Sequence, residues 1–388
     1  MDKMQASGFI GNLPQVARKI NPVTPKEVGT YPLLSSILHT ALNQQAAMKK
    51  HYTWITISLL TTLFLGGGSL VYVDWRDTAE ITPPAAPAPN ITSSEAITPI
   101  PLNHSLDARK VALGARLFND TVLSADDTVS CAHCHNLTTG GVDRLTHSRG
   151  ISGKEGNINA PTVFNSGFNF RQFWNGRAET LEEQVDGSLH NPLEMAGSWP
   201  QAMEKLSTDT QYVAAFKAIY RDGIQAHNVK DAIATFERSL ITPNSRFDQF
   251  LRGDQAVLNH EEQAGFLLFK QIGCTSCHQG INIGANMYQQ LGIMEDYFAV
   301  RGNVTEADMG RYNVTKLEQD KHFFKVPSLR NIAVTPPYLH DGSAKTLEDA
   351  VRIMARFQLG KELTPAKMSR VVAFLRTLTG EYLGKPLL

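Results

Sequence analysis

Cysteine is scarce in this chain of 388 residues: there are four, and each lies in one of two copies of a single pentapeptide, Cys131-Ala-His-Cys134-His135 and Cys274-Thr-Ser-Cys277-His278. None is left over for a structural disulfide, so no cystine framework holds the fold. An excess of charge of either sign is also missing, with 37 basic residues against 37 acidic ones. That balance supplies no basic footprint for nucleic acid. No strong alternation of apolar and polar residues runs through the chain, which speaks against a β-sandwich or barrel. Apolar residues make up 42% of the sequence, enough for globular domains with their own cores, and the length allows two of them.

What is present is more specific. C-x-x-C-H is the attachment signal for haem c. Two thiols three positions apart on a helical turn can each form a thioether to one porphyrin vinyl group, and the adjacent histidine is carried beneath the ring as proximal ligand. A chance match, a zinc site or a redox C-x-x-C is the competing reading. Two copies that use every cysteine point instead to two covalently bound haem c groups, with His135 and His278 as the iron ligands.

Residues 52–73 carry no charge and are long enough to cross a bilayer as a helix. Lys49, Lys50 and His51 precede them and Trp75 stands at the far edge, so the positive-inside rule puts residues 1–51 in the cytoplasm and all that follows the 52–75 anchor on the other side. Haem c is attached on that other side, in agreement. A cleaved signal segment is the alternative, and translation from Met48 would remove the tail, because Met48-Lys-Lys before an apolar run has that form. The run is long for a signal segment and no clear small-residue cleavage site follows, which favours an uncleaved anchor. Residues 76–100 include Thr82-Pro-Pro-Ala-Ala-Pro-Ala-Pro-Asn90 and read as an extended, semi-rigid linker, with folded structure starting near Pro101.

Beyond the linker the sequence is duplicated. Gly114-Ala-Arg-Leu117-Phe118 precedes the first pentapeptide and Gly265-Phe-Leu-Leu268-Phe269 the second; Phe236-Glu-Arg238-Ser-Leu240 follows the first and Phe374-Leu-Arg376-Thr-Leu378 the second. Ile233, Phe236 and Leu240 recur at helical spacing. The expected fold is therefore mainly α: two fused cytochrome c-like domains, 101–243 and 244–388, behind an N-terminal transmembrane anchor. Proline and turn formers at Thr242-Pro-Asn-Ser245 mark the boundary.

Between and after the haem motifs stand Gly140-Gly-Val-Asp143, Asn159-Ala-Pro-Thr-Val-Phe-Asn165, Gln172-Phe-Trp-Asn-Gly-Arg177 and Pro336-Pro-Tyr-Leu-His340-Asp-Gly342. With Cys134-His-Asn-Leu137, these runs make residues 103–380 resemble the bacterial di-haem cytochrome c peroxidase family, the group that also holds methylamine-utilisation maturation enzymes. The resemblance implies reduction of hydrogen peroxide to water at the N-terminal haem, with electrons supplied through the C-terminal one. It implies Glu194 as distal acid–base and Gln184 as an amide donor to an iron-bound oxygen, roles that peroxide cleavage requires. Trp174 falls at the aromatic position between the haems, and Asn159, Thr335 and Pro337 fall where a calcium ion is bound, through hard oxygen ligands. Thr346-Leu-Glu-Asp349 has a helix-capping pattern, and Leu347, Val351 and Met354 then share one face. Met354 matches the methionine ligand of the second haem, with Met287, Met294 and Met309 as competitors. The family's capping histidine falls on Ile151 here, so the first haem has an open distal face unless His147 swings in. The implied partners are hydrogen peroxide, a small c-type cytochrome, blue copper protein or quinol as donor, the inner membrane through the anchor, and a second copy in a homodimer, with the catalytic body in the periplasm. The rival readings are an electron-transfer cytochrome or redox sensor, which has no use for Glu194 and Gln184, and a maturation-type oxidase, which would carry tyrosine rather than Met354.

Overall fold

The computed structural model describes residues 96–388. The expected tail, the membrane span at 52–75 and most of the linker lie outside the described residues; among those described, no helix is long and apolar enough to cross a membrane.

The fold is mainly helical. In the first half α1 (Ala108–Asn119) is capped by the Asp107 carboxylate, which accepts from the Arg109 amide at 2.9 Å. It is followed by α2 (Leu181–His190), two helices at Trp199–Thr208 and Thr210–Ile219, and α3 (Ala226–Ser239). The second half opens on Arg246–Leu251 and continues with α4 (His260–Ile272), started by a reciprocal capping box between Asn259 and Glu262. Then come α5 (Leu347–Ile353) and α6 (Pro365–Arg376), with Thr364 as cap and Pro365 in the first turn. Strand content is small. The short pair β1 (Tyr288–Gln290) and β2 (Phe323–Lys325) is antiparallel, with Tyr288 opposite Lys325.

Each half builds its own core largely from a pair of packed helices, α1 with α3 in the first and α4 with α6 in the second. Leu113 and Leu117 of α1 meet Val229, Ala232 and Ile233 of α3, with Val185 and Leu189 of α2 against them. In the second half Phe266 and Phe269 of α4 meet Val371, Phe374 and Leu375 of α6; Phe247 joins by edge-on contact with Phe266 and Phe374, ring centroids 4.8 and 5.0 Å apart. The glycine of each G-x-x-L-F run explains the close approach. A Cβ on Gly114 would lie 1.9 Å from the Ala232 carbonyl oxygen, and one on Gly265 2.0 Å from that of Arg370.

The internal duplication goes deeper than the motifs flanking the pentapeptides. Asn159-Ala-Pro-Thr-Val-Phe-Asn165 is matched by Lys325-Val-Pro-Ser-Leu-Arg-Asn331, and without a gap Trp174-Asn-Gly-Arg-Ala-Glu-Thr-Leu181-Glu by His340-Asp-Gly-Ser-Ala-Lys-Thr-Leu347-Glu. Backbone conformation follows. Asn165 and Asn331 both have positive φ, 63° and 61°, as do Phe173 and Leu339, 67° and 69°. The Gln172 amide bonds the Ala178 carbonyl at 2.9 Å, and Tyr338 bonds Ala344 at 2.8 Å. Thr180 caps α2 as Thr346 caps α5. The two asparagines meet at Thr242, whose hydroxyl lies 2.8 Å from Asn165 Nδ2 and 3.0 Å from Asn331 Nδ2.

The halves are joined by a reciprocal pair of backbone bonds. The Asn159 amide donates to the His340 carbonyl at 2.7 Å, and the Lys325 amide donates to the Trp174 carbonyl at 2.7 Å. The described ends also cross over. Leu387 packs with Phe118, Phe164 and Phe236 of the first half, whereas Ile97 packs in the core of the second. The linker expected over 76–100 therefore does not extend to residue 100: Ile97 and Ile100 are buried, and the Arg330 guanidinium binds the Thr98 carbonyl at 3.0 Å. Burial of two isoleucines in a core built by distant residues is not visible in a proline-rich local composition.

Replacing Gly265 by alanine forces a methyl against the Arg370 carbonyl. We expect a loss of about 1–3 kcal/mol, the usual cost of overpacking, read as a lower denaturation midpoint at unchanged denaturant slope.

Candidate functional site

Two cavities, one in each half, gather the residues singled out by the sequence. The first is lined by Cys131, Cys134, His135, Gln184, Ser188, Glu194 and Trp174. The second is lined by Cys274, Cys277, His278, Met354, Asn159, Thr335 and Pro337, and again by Trp174.

The pentapeptides form tight turns that present both thiols and the histidine to one cavity. Cys131–Cys134 is a single helical turn closed by the His135 amide bonding the Cys131 carbonyl at 3.0 Å; the His278 amide does the same to Cys274 at 3.0 Å. The remaining geometry fixes each imidazole. His135 Nδ1 lies 3.4 Å from the Gly141 carbonyl and His278 Nδ1 3.2 Å from that of Ile283. Donation from Nδ1 leaves Nε2 as the bare ligand atom, the arrangement that orients a metal-binding histidine. Burial holds both rings neutral, driving His278 down to about 4 and His135 also below its ordinary value. Burial likewise pushes the Cys131 and Cys274 thiols up to about 12 and Cys134 to about 11. Redox-active C-x-x-C pairs need a depressed thiol pKa, so this chemistry disfavours a redox dithiol. A zinc site fares no better: the one cluster of metal-ligating type among the described residues is Asp308, His340 and Asp341, and it includes none of the cysteines. Its buried Asp308 is already bound by Arg301 at 2.6 Å, the Thr305 amide at 2.6 Å and His340 Nε2 at 2.7 Å. The donor sets that remain fit haem: paired thiols, one open imidazole nitrogen, and apolar walls.

Beyond the cysteines, the cavities differ. In the first, Gln184 Nε2 donates to Ser188 Oγ at 3.0 Å, and Asn191 Nδ2 donates to Glu194 Oε1 at 2.7 Å. Burial raises the Glu194 pKa above the ordinary carboxylate value; the Ser188 and Asn191 hydrogen bonds and the Arg177 charge oppose it in part. In the second cavity the duplicated alignment puts Met354 where the first has Ser188. Met354 opens a π-helical turn, Met354–Gln358, of the kind found at functional sites. It is the only methionine lining that cavity among the described residues; Met294 is 62% exposed and neither Met287 nor Met309 lines it.

Trp174 lines both cavities, its indole donating to the Asn159 carbonyl at 2.9 Å. Asn159 uses its amide nitrogen on the Leu145 carbonyl at 2.9 Å, which leaves the amide oxygen for another partner. His147 does not face the first cavity: its Nδ1 lies 3.3 Å from Glu155 Oε1. Ile151 is buried, held by its amide on the Glu194 carbonyl at 2.8 Å.

Two cavity residues escaped the sequence reading. Glu237 is buried in the first cavity with Oε2 unpartnered, and burial raises it to about 8. Lys325 is buried at the edge of both. Glu237 sits inside the F-x-R motif and Lys325 opens the second copy of the N-A-P-T-V-F-N run, so a full alignment of the duplication against itself marks both positions.

The family described as di-haem cytochrome c peroxidase matches residues 108–256. The chain is 49% identical over 290 residues to a cytochrome c peroxidase of Escherichia coli, covering 74% of this chain and 62% of that one. It thus spans somewhat less than two thirds of that relative. It is 43% identical to the cytochrome c551 peroxidase of Nitrosomonas europaea, over 75% of this chain and 86% of that one. Among solved structures, a MauG-like protein associated with microbial copper homeostasis superposes with a TM-score of 0.64 at 27% identity, over 75% of this chain and 95% of that one.

Met354→His should lower the midpoint potential of the C-terminal haem, because imidazole favours ferric iron over a thioether. A redox titration in which neither midpoint moves would assign the ligand elsewhere.

Proposed function

Because the chain belongs to the di-haem cytochrome c peroxidase family, we propose that it reduces hydrogen peroxide to two waters, consuming two electrons and two protons, with haem c bound through Cys131 and Cys134 in one cavity and Cys274 and Cys277 in the other. Haem iron supplies the peroxide-binding and one-electron chemistry at both sites. The chain's own residues do the rest. His135 and His278 would each hold one haem iron and Met354 would supply a second ligand in the C-terminal cavity, which suits that site to electron donation.

The observation that carries this reading is the difference between Ser188 and Met354 at equivalent positions. Ser188 offers a short hydroxyl that holds Gln184, where Met354 brings a thioether into the second cavity that would reach a bound haem iron. The first cavity is thereby left open to a small oxygen ligand and the second is closed. Glu194 lines the first cavity, its carboxylate held by Asn191 at Oε1 and by Ser188, and from there it can accept a proton from peroxide and return it to the leaving oxygen. Gln184 donates toward the same space. Trp174, shared by both cavities, gives electrons a path between them. Asn159, Thr335 and Pro337 at the junction supply oxygen ligands for a structural calcium ion. We place the catalytic body in the periplasm, held to the inner membrane by residues 52–75, with a small reduced cytochrome, blue copper protein or quinol as donor and a second copy as partner in a homodimer.

Steady-state peroxide consumption with a reduced c-type donor tests the activity, and no turnover by protein carrying both haems rejects it. Glu194→Gln should retain both haems and lower turnover by about two to four orders of magnitude. Glu194 acts as base only when ionised and burial raises its pKa, so wild-type rates should fall with pH through a value above the ordinary carboxylate range. That acid limb should vanish in the variant.

The open distal face has its own spectral test. Oxidised wild type should show a high-spin ferric component by electron paramagnetic resonance, unchanged by His147→Ala. Ser188→Met should convert it to low-spin and suppress the reaction with peroxide.

A further inference from the structure

Lys325 is a buried cation that no anion of the described protein neutralises. The residue is 7% exposed, and no carboxylate among the described residues comes within ion-pair distance of it. The other basic side chains buried to this degree among the described residues have a carboxylate partner: Arg330 meets Asp248 at 2.7 Å and His340 meets Asp308 at 2.7 Å. Burial is the one influence on the Lys325 ammonium, bringing it down to about 8. Charged groups are rarely buried unless paired, since desolvating an ammonium costs several kcal/mol.

Its position identifies the missing partner. Lys325 ends β2 and holds the Trp174 carbonyl through its backbone amide at 2.7 Å, so its Cα is fixed at the junction. Its side chain lines both cavities, as Trp174 does. By the internal duplication it is the counterpart of Asn159, a neutral residue. The junction thus carries one lysine where strict repetition would carry an amide. Thioether attachment uses the vinyl groups of a haem and leaves two propionate carboxylates per ring as its only anionic substituents. Those carboxylates must be accommodated in or beside the same two cavities.

We propose that the Lys325 ammonium is the counter-ion of a haem propionate at the boundary between the two cavities, and that its charge raises the reduction potential of that haem. The proposal rests on haem occupying both cavities. A cation held near the ring disfavours the extra positive charge of ferric iron, so its removal must stabilise the oxidised form. Asymmetry follows from the same residue: one of two duplicated sites gains a charge the other lacks, which separates their potentials and gives electron flow between them a direction.

The test is a redox titration of the full chain with haem attached, comparing wild type with Lys325→Met and Lys325→Arg. Two haems per chain by the pyridine haemochrome assay is the entry condition; wild type that fails it overturns the haem reading and not the role of Lys325. With both haems present, the Met variant should show a downward shift in one midpoint, and the haem that moves is the one whose propionate is held. The Arg variant, which keeps the charge, should restore the wild-type midpoint. Lys325→Gln, with a polar end in similar space, is read the same way if the Met variant fails to retain haem. Unchanged midpoints in the neutral variants, or an upward shift, overturn the proposal. So does an Arg variant that behaves like the neutral ones.

Discussion

Two backbone hydrogen bonds of 2.7 Å, Asn159 amide to His340 carbonyl and Lys325 amide to Trp174 carbonyl, set the relation of everything else in the molecule. They are related by the internal duplication and each crosses from one half to the other. A backbone bond fixes position without regard to side chain, so the residues that carry it are free to diverge. The four residues of this junction, Asn159, Trp174, Lys325 and His340, are accordingly all different in chemistry. Around them Asn165 and Asn331 retain their identity, because both use positive φ and both bond Thr242.

Divergence at equivalent positions is what turns a duplicated carrier into a molecule with two unlike sites. Ser188 against Met354 puts a short hydroxyl in one cavity and a thioether in the other. Trp174 against His340 places an indole at both cavities on one side of the junction, and on the other an imidazole stacked 4.4 Å from Phe324 and bonded to buried Asp308. The latter ring lies 6.3 Å from Trp174, so the indole packs edge-on to an imidazole held through Nε2 by Asp308. Arg301 and Thr305 complete the shell of Asp308 and hold its carboxyl well below the usual range, so this network stays charged and fixed at neutral pH.

The buried ion pair Arg330–Asp248 has a different purpose. Arg330 spans the carbonyls of Ile281 and Thr98 as well as the carboxylate, and Asp248 accepts from the Ile100 amide. Removing one partner of such a pair is strongly destabilising, by about 3–5 kcal/mol, because the other is left charged and dry. Here the pair stitches the segment at Ile97–Ile100 into the second core, as Leu387 is stitched into the first half. Crossed ends make the two halves one cooperative body although each has its own helical core.

The sequence by itself determined the mainly helical class and marked two haem sites with His135 and His278 as the ligands we propose, because C-x-x-C-H and helical periodicity are local codes in which chemistry and spacing coincide. It also carried Glu194, Gln184, Trp174 and Met354 as candidates, through resemblance of whole runs. Only the tertiary structure decided what these residues face. That His147 turns to Glu155 while Ile151 seals against the Glu194 backbone, and that Glu237 and Lys325 are buried at the cavities, depend on the folded packing around them. Burial is a property of the assembled packing, and a charged residue in sequence gives no sign of whether water reaches it. For the same reason the linker was read too long: proline content reports local stiffness, whereas the place of Ile97 and Ile100 was set by a core formed more than a hundred residues later.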